Sequence, residues 1–65
     1  MNKELKITLE AARVNAGLNQ KDAARKLSIN PVTLGRYEAG ISYPNIDMIN
    51  KMEKLYGISK DNIKW

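Results

Sequence analysis

The sequence predicts an all-α fold, a compact bundle of about five short helices. Three observations carry that prediction. Small and apolar residues recur at helical spacing in several short runs. A residue with a side-chain oxygen stands ahead of each run, at Thr8, Asn19, Asn30, Asn45 and Ser59, and glycine follows at Gly17, Gly40 and Gly57. Such an oxygen accepts from an orphan N–H of a first turn, and glycine past the last turn adopts the positive φ that ends a helix.

The elements follow in order. Residues 1–7 have no helical period, but Leu5 and Ile7 alternate with Lys6, which suggests a short extended arm. Thr8 caps a helix over residues 9–16, with Glu10 placed favourably for the helix dipole and Leu9, Ala12 and Ala16 on one apolar face. Asn19 caps a helix over residues 20–27, whose inward stripe is Ala23, Ala24 and Leu27. Ser28 and Ile29 make a turn. Asn30 then caps a third helix over residues 31–38, and Pro31 takes its first position, where a missing N–H costs nothing. Leu34 and Tyr37 face inward there; Val32, Thr33, Gly35 and Arg36 lie on other faces. Residues 41–44 connect to a fourth helix, 46–56, capped by Asn45, with Ile49, Met52, Leu55 and Tyr56 buried. Ser59 opens a last turn over residues 60–63. No repeat, low-complexity tract or linker interrupts the pattern, so residues 1–65 are read as one domain.

A chain of 65 residues holds one small core. The absence of Cys removes disulfides and thiolate metal sites, and the absence of His removes the commonest general base and metal ligand. With no clustered carboxylates either, the sequence offers no catalytic residues. No enzyme activity, metal, cofactor or small-molecule substrate is expected. Hydrophobic packing must hold the fold, helped by a second subunit if one is present. Eleven Lys or Arg against seven Asp or Glu give a net charge of +4, which suits an anionic partner. No apolar stretch approaches the roughly 20 residues of a membrane span and no signal-peptide run is seen, so a cytoplasmic location is expected.

The run from Gln20 to Gly40 has the spacing of a helix-turn-helix, residues 20–39, in which two helices cross at a sharp angle. Ala24 is its fifth residue, where the crossing leaves room only for a methyl group; Ile29 and Leu34 are its tenth and fifteenth. With Leu18-Asn19-Gln20, Leu27-Ser28-Ile29-Asn30, Arg36-Tyr37-Glu38-Ala39-Gly40 and Pro44 in the same order, the sequence resembles the lambda-repressor and Cro-like (XRE-like) helix-turn-helix DNA-binding family over Leu9 to Ile63.

The resemblance implies a sequence-specific DNA-binding regulator, a repressor or Cro-like protein of a bacterium or its phage. The helix over residues 31–38 would read the major groove of double-stranded DNA. Because one recognition helix makes too few contacts for tight binding, a homodimer on palindromic half-sites about 34 Å apart is expected as well. By the same resemblance Gln20 contacts a DNA phosphate and braces the recognition helix, and Asn19 and Asn30 combine capping with a place at the DNA surface. Base-facing places fall on Pro31, Val32, Thr33 and Arg36; Arg36 suits the paired acceptors of guanine, Val32 a thymine methyl, and Thr33 either base or phosphate. Ser42 and Tyr43 match a phosphate-gripping loop, though Tyr43 also suits packing beside Pro44. Arg13 and Glu38 match a family ion pair of structural role.

The sequence departs from the family pattern at two places. Pro31, Val32 and Gly35 supply few side-chain donors where many relatives carry polar residues, so either a backbone approaches DNA closely at Gly35 or the contacts are few. Ser28 stands where many relatives have Gly. The donor-poor helix keeps open an alternative, a protein-interaction module such as an antitoxin or phage accessory factor on the same fold. Met48, Met52, Tyr56 and Trp65 are candidates for a subunit surface, with core as the simpler role of Met52 and Tyr56.

Overall fold

A computed structural model describes residues 6–65. A two-residue strand β1 (Ile7–Thr8) leads into α1 (Leu9–Asn15), α2 (Gln20–Leu27), α3 (Pro31–Glu38) and α4 (Ile46–Tyr56). A single 3-10 turn (Lys60–Asn62) and a second short strand β2 (Ile63–Lys64) follow. α2 packs on α3 and α4, and α1 lies behind them against α3, α4 and both strands. No helix among the described residues is long and apolar enough to cross a membrane.

The helices begin where capping chemistry dictates. Thr8 Oγ1 accepts from Ala11 N at 3.0 Å, Asn19 Oδ1 from Asp22 N at 2.7 Å, Asn30 Oδ1 from Val32 N at 2.8 Å and Asn45 Oδ1 from Met48 N at 2.9 Å. Ser59 caps the 3-10 turn in the same way, accepting from Asp61 N at 3.2 Å.

The helix ends share one device. At α1 the Leu18 N–H returns to Arg13 O at 3.2 Å and the Gly17 N–H to Val14 O at 2.9 Å, with Gly17 at φ +79°. This pair of bonds around a left-handed residue is the Schellman motif. α2 ends likewise, Ile29 N donating to Ala24 O at 2.9 Å, but the left-handed residue is Ser28, at φ +62°. A non-glycine residue there costs roughly 1 kcal/mol, and the turn still delivers Ile29 onto the core.

The core is formed by Leu9, Ala12, Ala23, Ala24, Leu27, Leu34, Met52, Tyr56 and Ile63. Ala23, Ala24, Leu34 and Met52 are completely inaccessible. With both alanines of α2 fully enclosed, a larger side chain at either position would overpack the core.

Several expectations are corrected. Residues 1–5 of the expected arm lie outside the described residues. Ile7 is paired in parallel with Ile63, and Thr8 with Lys64, so this part of the arm is tied to the far end of the fold. Ile63 therefore belongs to a strand instead of the final helical turn. Ala16 is exposed because α1 stops at Asn15 and Ala16 is its C-cap. Ile49 and Leu55 are half-buried, flanking Met52 and Tyr56. Those last two point into the core, which removes them from any subunit surface. Met48 is half-buried against the same core, and Trp65 is held at the edge of the fold, its indole N–H donating to Lys60 O at 3.1 Å.

Candidate functional site

The outward face of α3 and the loop after it form a shallow concavity of about 580 Å³, lined by Asn30, Val32, Thr33, Arg36, Tyr37, Ser42 and Tyr43. Six of the residues singled out from sequence thus converge on one surface. Leu34, on the opposite side of α3, is fully buried, and its packing turns the face that carries Val32, Thr33 and Arg36 outward. The Asn30 cap fixes the first turn, where Pro31 occupies the first position. Pro31 is exposed beside the concavity and Asn19 at the start of α2, neither of them among its lining residues.

The sequence alone places Tyr37 on the inner side of its helix. It is half-buried against the core and also lines the concavity, one residue on from Arg36 and four from Thr33. That helical spacing was the available signal. Tyr43 is 69% exposed whereas Pro44 is buried, so the packing role falls to the proline and the tyrosine ring stands free.

Pairing of charges decides the field of this face. Within residues 20–40 the acids Asp22 and Glu38 are engaged, Asp22 by Arg25 at 3.3 Å and Glu38 by Arg13 at 2.7 Å. Lys21, Lys26 and Arg36 have no acidic partner among the described residues. Arg36 is the one cation lining the concavity.

Behind α3 lies a buried polar node. Arg13 Nε donates to Glu38 Oε2 at 2.7 Å, Arg13 Nη2 to Glu38 Oε1 at 3.3 Å and Arg13 Nη1 to Leu18 O at 3.0 Å. Both side chains are less than one-tenth exposed. The fork-on-carboxylate geometry ties α1 to the end of α3 and holds the turn before α2. The hydrogen bond to Glu38 raises the Arg13 pKa above its ordinary value, with burial opposing.

Gln20 joins the node from α2, its Nε2 donating to Glu38 Oε1 at 3.0 Å. Its amide is turned inward as a brace, since a carboxylate oxygen can only accept. An ideal Cβ on Gly35 would lie 3.6 Å from Gln20 Nε2, in ordinary van der Waals contact. Gly35 thus faces α2, and a methyl group fits there without strain. Replacing Gly35 with Ala is expected to stabilise the fold by about 1 kcal/mol, raising the midpoint of thermal unfolding by roughly 4–8 °C. An unchanged or lower midpoint by circular dichroism would refute this account of Gly35.

Tyr56 completes the node. Its hydroxyl is buried without a hydrogen-bond partner. Burial pushes the phenol pKa up to about 12, the Glu38 carboxylate adding to the rise and Arg13 opposing it. A phenol that ionises near 10 in the unfolded chain and near 12 in the folded one contributes stability that is intact below pH 10 and lost between pH 10 and 12. Thermal unfolding from pH 7 to 11 is expected to show this loss in the parent chain and a flatter profile in Tyr56→Phe. At neutral pH that variant should be no less stable, because it removes an unsatisfied group.

The comparisons with known proteins agree with this geometry. The family model described as Helix-turn-helix matches residues 9–63. The HTH-type transcriptional regulator ImmR of Bacillus subtilis (strain 168) is 42% identical over 53 residues, covering 82% of this chain and 42% of its own. Multiprotein-bridging factor 1 of Candida glabrata is 35% identical over 51 residues, 78% of this chain and 34% of its own. Endothelial differentiation-related factor 1 of Homo sapiens is 34% identical over 59 residues, with 82% and 40% covered. The chain therefore spans about two-fifths of the length of these relatives, or less. No solved structure gives a significant match. The match across nearly all the described residues, with the Bacillus subtilis regulator more than two-fifths identical, means that the chain belongs to the lambda-repressor and Cro-like, or XRE-like, helix-turn-helix family.

Proposed function

We propose that the chain is a helix-turn-helix domain of a DNA-binding transcriptional regulator that works in the cytoplasm, with α3 entering the major groove. The observation that best supports this is the convergence of Asn30, Val32, Thr33, Arg36, Ser42 and Tyr43 on one concavity with an unpaired cation in it. Arg36 grips a guanine through O6 and N7, and Thr33 serves base or phosphate. Ser42 and Tyr43 hold the backbone on one side of α3, while Asn19 and the first turn of α2 meet a phosphate on the other. Pro31 sits at the base edges and supplies contact without a donor. Gln20 acts from behind, bracing α3 through Glu38.

One recognition helix makes too few contacts for tight binding, so two copies bind as a two-fold dimer on palindromic half-sites about 34 Å apart and act by occupancy as a repressor. Fluorescence anisotropy with duplexes selected from a random pool tests this. Expected are a palindromic consensus and an affinity that falls steeply with salt. Absence of any salt-sensitive binding to DNA at low ionic strength would end the proposal.

A second reading is supported by a specific observation. Val32, Ile41, Tyr43 and Ile46 are each at least 60% exposed, an apolar presence that suits a protein-interaction module. One relative is named for bridging proteins, which is said of that relative. Under this reading a partner protein binds whether or not Arg36 is intact.

A further inference from the structure

A left-handed residue ends each of the helices α1 to α4, and an apolar one follows it: Gly17-Leu18, Ser28-Ile29, Gly40-Ile41 and Gly57-Ile58. At such an end the apolar residue ordinarily folds back onto its own helix. Leu18, Ile29 and Ile58 are each half-buried against the core in this way. Ile41 is not. Its N–H makes the expected return to Arg36 O at 3.0 Å, yet its side chain is 70% exposed. Ile46, at the first position of α4 behind the Asn45 cap, is 60% exposed. Pro44 is buried between them and anchors the loop. Ser42 and Tyr43 line the concavity of α3, and the two isoleucines stand outside it.

Residues 39–46 carry no charge, although Lys, Arg, Asp and Glu make up 28% of the chain. A foreign partner of so basic a chain would be steered and held by opposite charges, and this stretch offers it none to pair with. A second copy fits better. Two chains of charge +4 repel one another, least where neutral surface meets neutral surface. A two-fold contact also sets one patch against itself, which an uncharged aliphatic patch satisfies without a complementary group. We infer that Ile41 and Ile46 form the contact between two copies of this chain, and that the contact closes only on DNA. The inference rests on the DNA-binding reading of the neighbouring concavity. Two isoleucines and their short loop cover much less than the roughly 800 Å² per partner that a stable interface buries, so the free chain is a monomer. Adjacent half-sites raise the effective concentration of one copy at the other to about the millimolar range, where so small a contact is made. Capped backbone holds both side chains, so little freedom is lost when it closes.

A duplex is selected from random DNA with the parent chain, and a second duplex with a single half-site is made from it. Sedimentation velocity is expected to show the free chain as a monomer. Anisotropy is expected to show the second copy binding the full site roughly ten- to a hundredfold more tightly than the first. The double variant Ile41→Ser with Ile46→Ser, its folding checked by circular dichroism, should bind the single half-site like the parent and lose that advantage on the full site. The sequence has no cysteine, so Ile46→Cys can be cross-linked at one place only. A bismaleimide should join two such copies on the full site, but not on the half-site or without DNA. Val14→Cys, at a position 56% exposed on α1, should stay unjoined throughout. If the double variant keeps the advantage, if the free chain is already a dimer, or if Val14→Cys joins as readily as Ile46→Cys, the inference is overturned while DNA binding stands. A selected duplex without a repeated half-site overturns it as well. If the parent chain selects no DNA at all, the DNA-binding reading itself has failed and the inference falls with it.

Discussion

Glu38→Ala is expected to cost about 3–5 kcal/mol of folding stability, because it leaves the buried Arg13 guanidinium with no close partner except the exposed Glu10 carboxylate at 3.8 Å. The same change strips the Gln20 amide of its acceptor and loosens the α1–α2 turn that Arg13 holds through Leu18 O. Folded domains are stable by only about 5–15 kcal/mol, so a loss of this size is a large share of the total. Urea unfolding followed by circular dichroism measures the loss. The compensated pair Arg13→Met with Glu38→Leu should recover most of it, since two apolar side chains of similar volume carry no desolvation cost. A loss under about 1 kcal/mol in Glu38→Ala would mean that the pair behaves as a solvated surface bridge, and that the node does not organise the fold.

Arg36→Ala should leave stability within about 0.5 kcal/mol of the parent chain, because the side chain is exposed and unpaired, yet weaken specific DNA binding severely. Loss of one forked guanine contact is worth about 1–3 kcal/mol, or 5- to 150-fold per half-site, and relaxes sequence preference at that base pair. Gln20→Ala is the informative contrast. Its amide bonds to Glu38 inside the fold, so its removal should lower the unfolding midpoint and affect DNA affinity mainly through the position of α3. Anisotropy and thermal unfolding on both variants separate the two roles. A stable Arg36→Ala variant that binds selected duplexes as tightly as the parent would take Arg36 out of the interface and favour the protein-interaction reading.

The features legible in the sequence are those set by neighbours along the chain. Thr8, Asn19, Asn30, Asn45 and Ser59 cap as expected because the acceptor and its N–H are two or three residues apart. Ala24 at the helix crossing was legible because a repeated steric demand leaves a mark on residue size. The pairing of Ile7 with Ile63 was not: two-residue strands are too short to show alternation, and only the assembled bundle brings them together. For the site, the exposure of Val32 and Arg36 followed from the helical period. The choice of Glu38 as the acceptor for Gln20, the orphan hydroxyl of Tyr56 and the second face of Tyr37 depend on how three helices meet, which no local rule supplies.

The short ribbon of β1 and β2 bears on how this fold resists tension. Its strands run parallel, so a pull applied ahead of Ile7 and beyond Lys64 draws them along their lengths in opposite directions. All the backbone bonds between them then carry load together, as in a lap joint, instead of parting one by one. The helices of the bundle, lying in the chain between these two strands, are shielded from force until that joint has slipped.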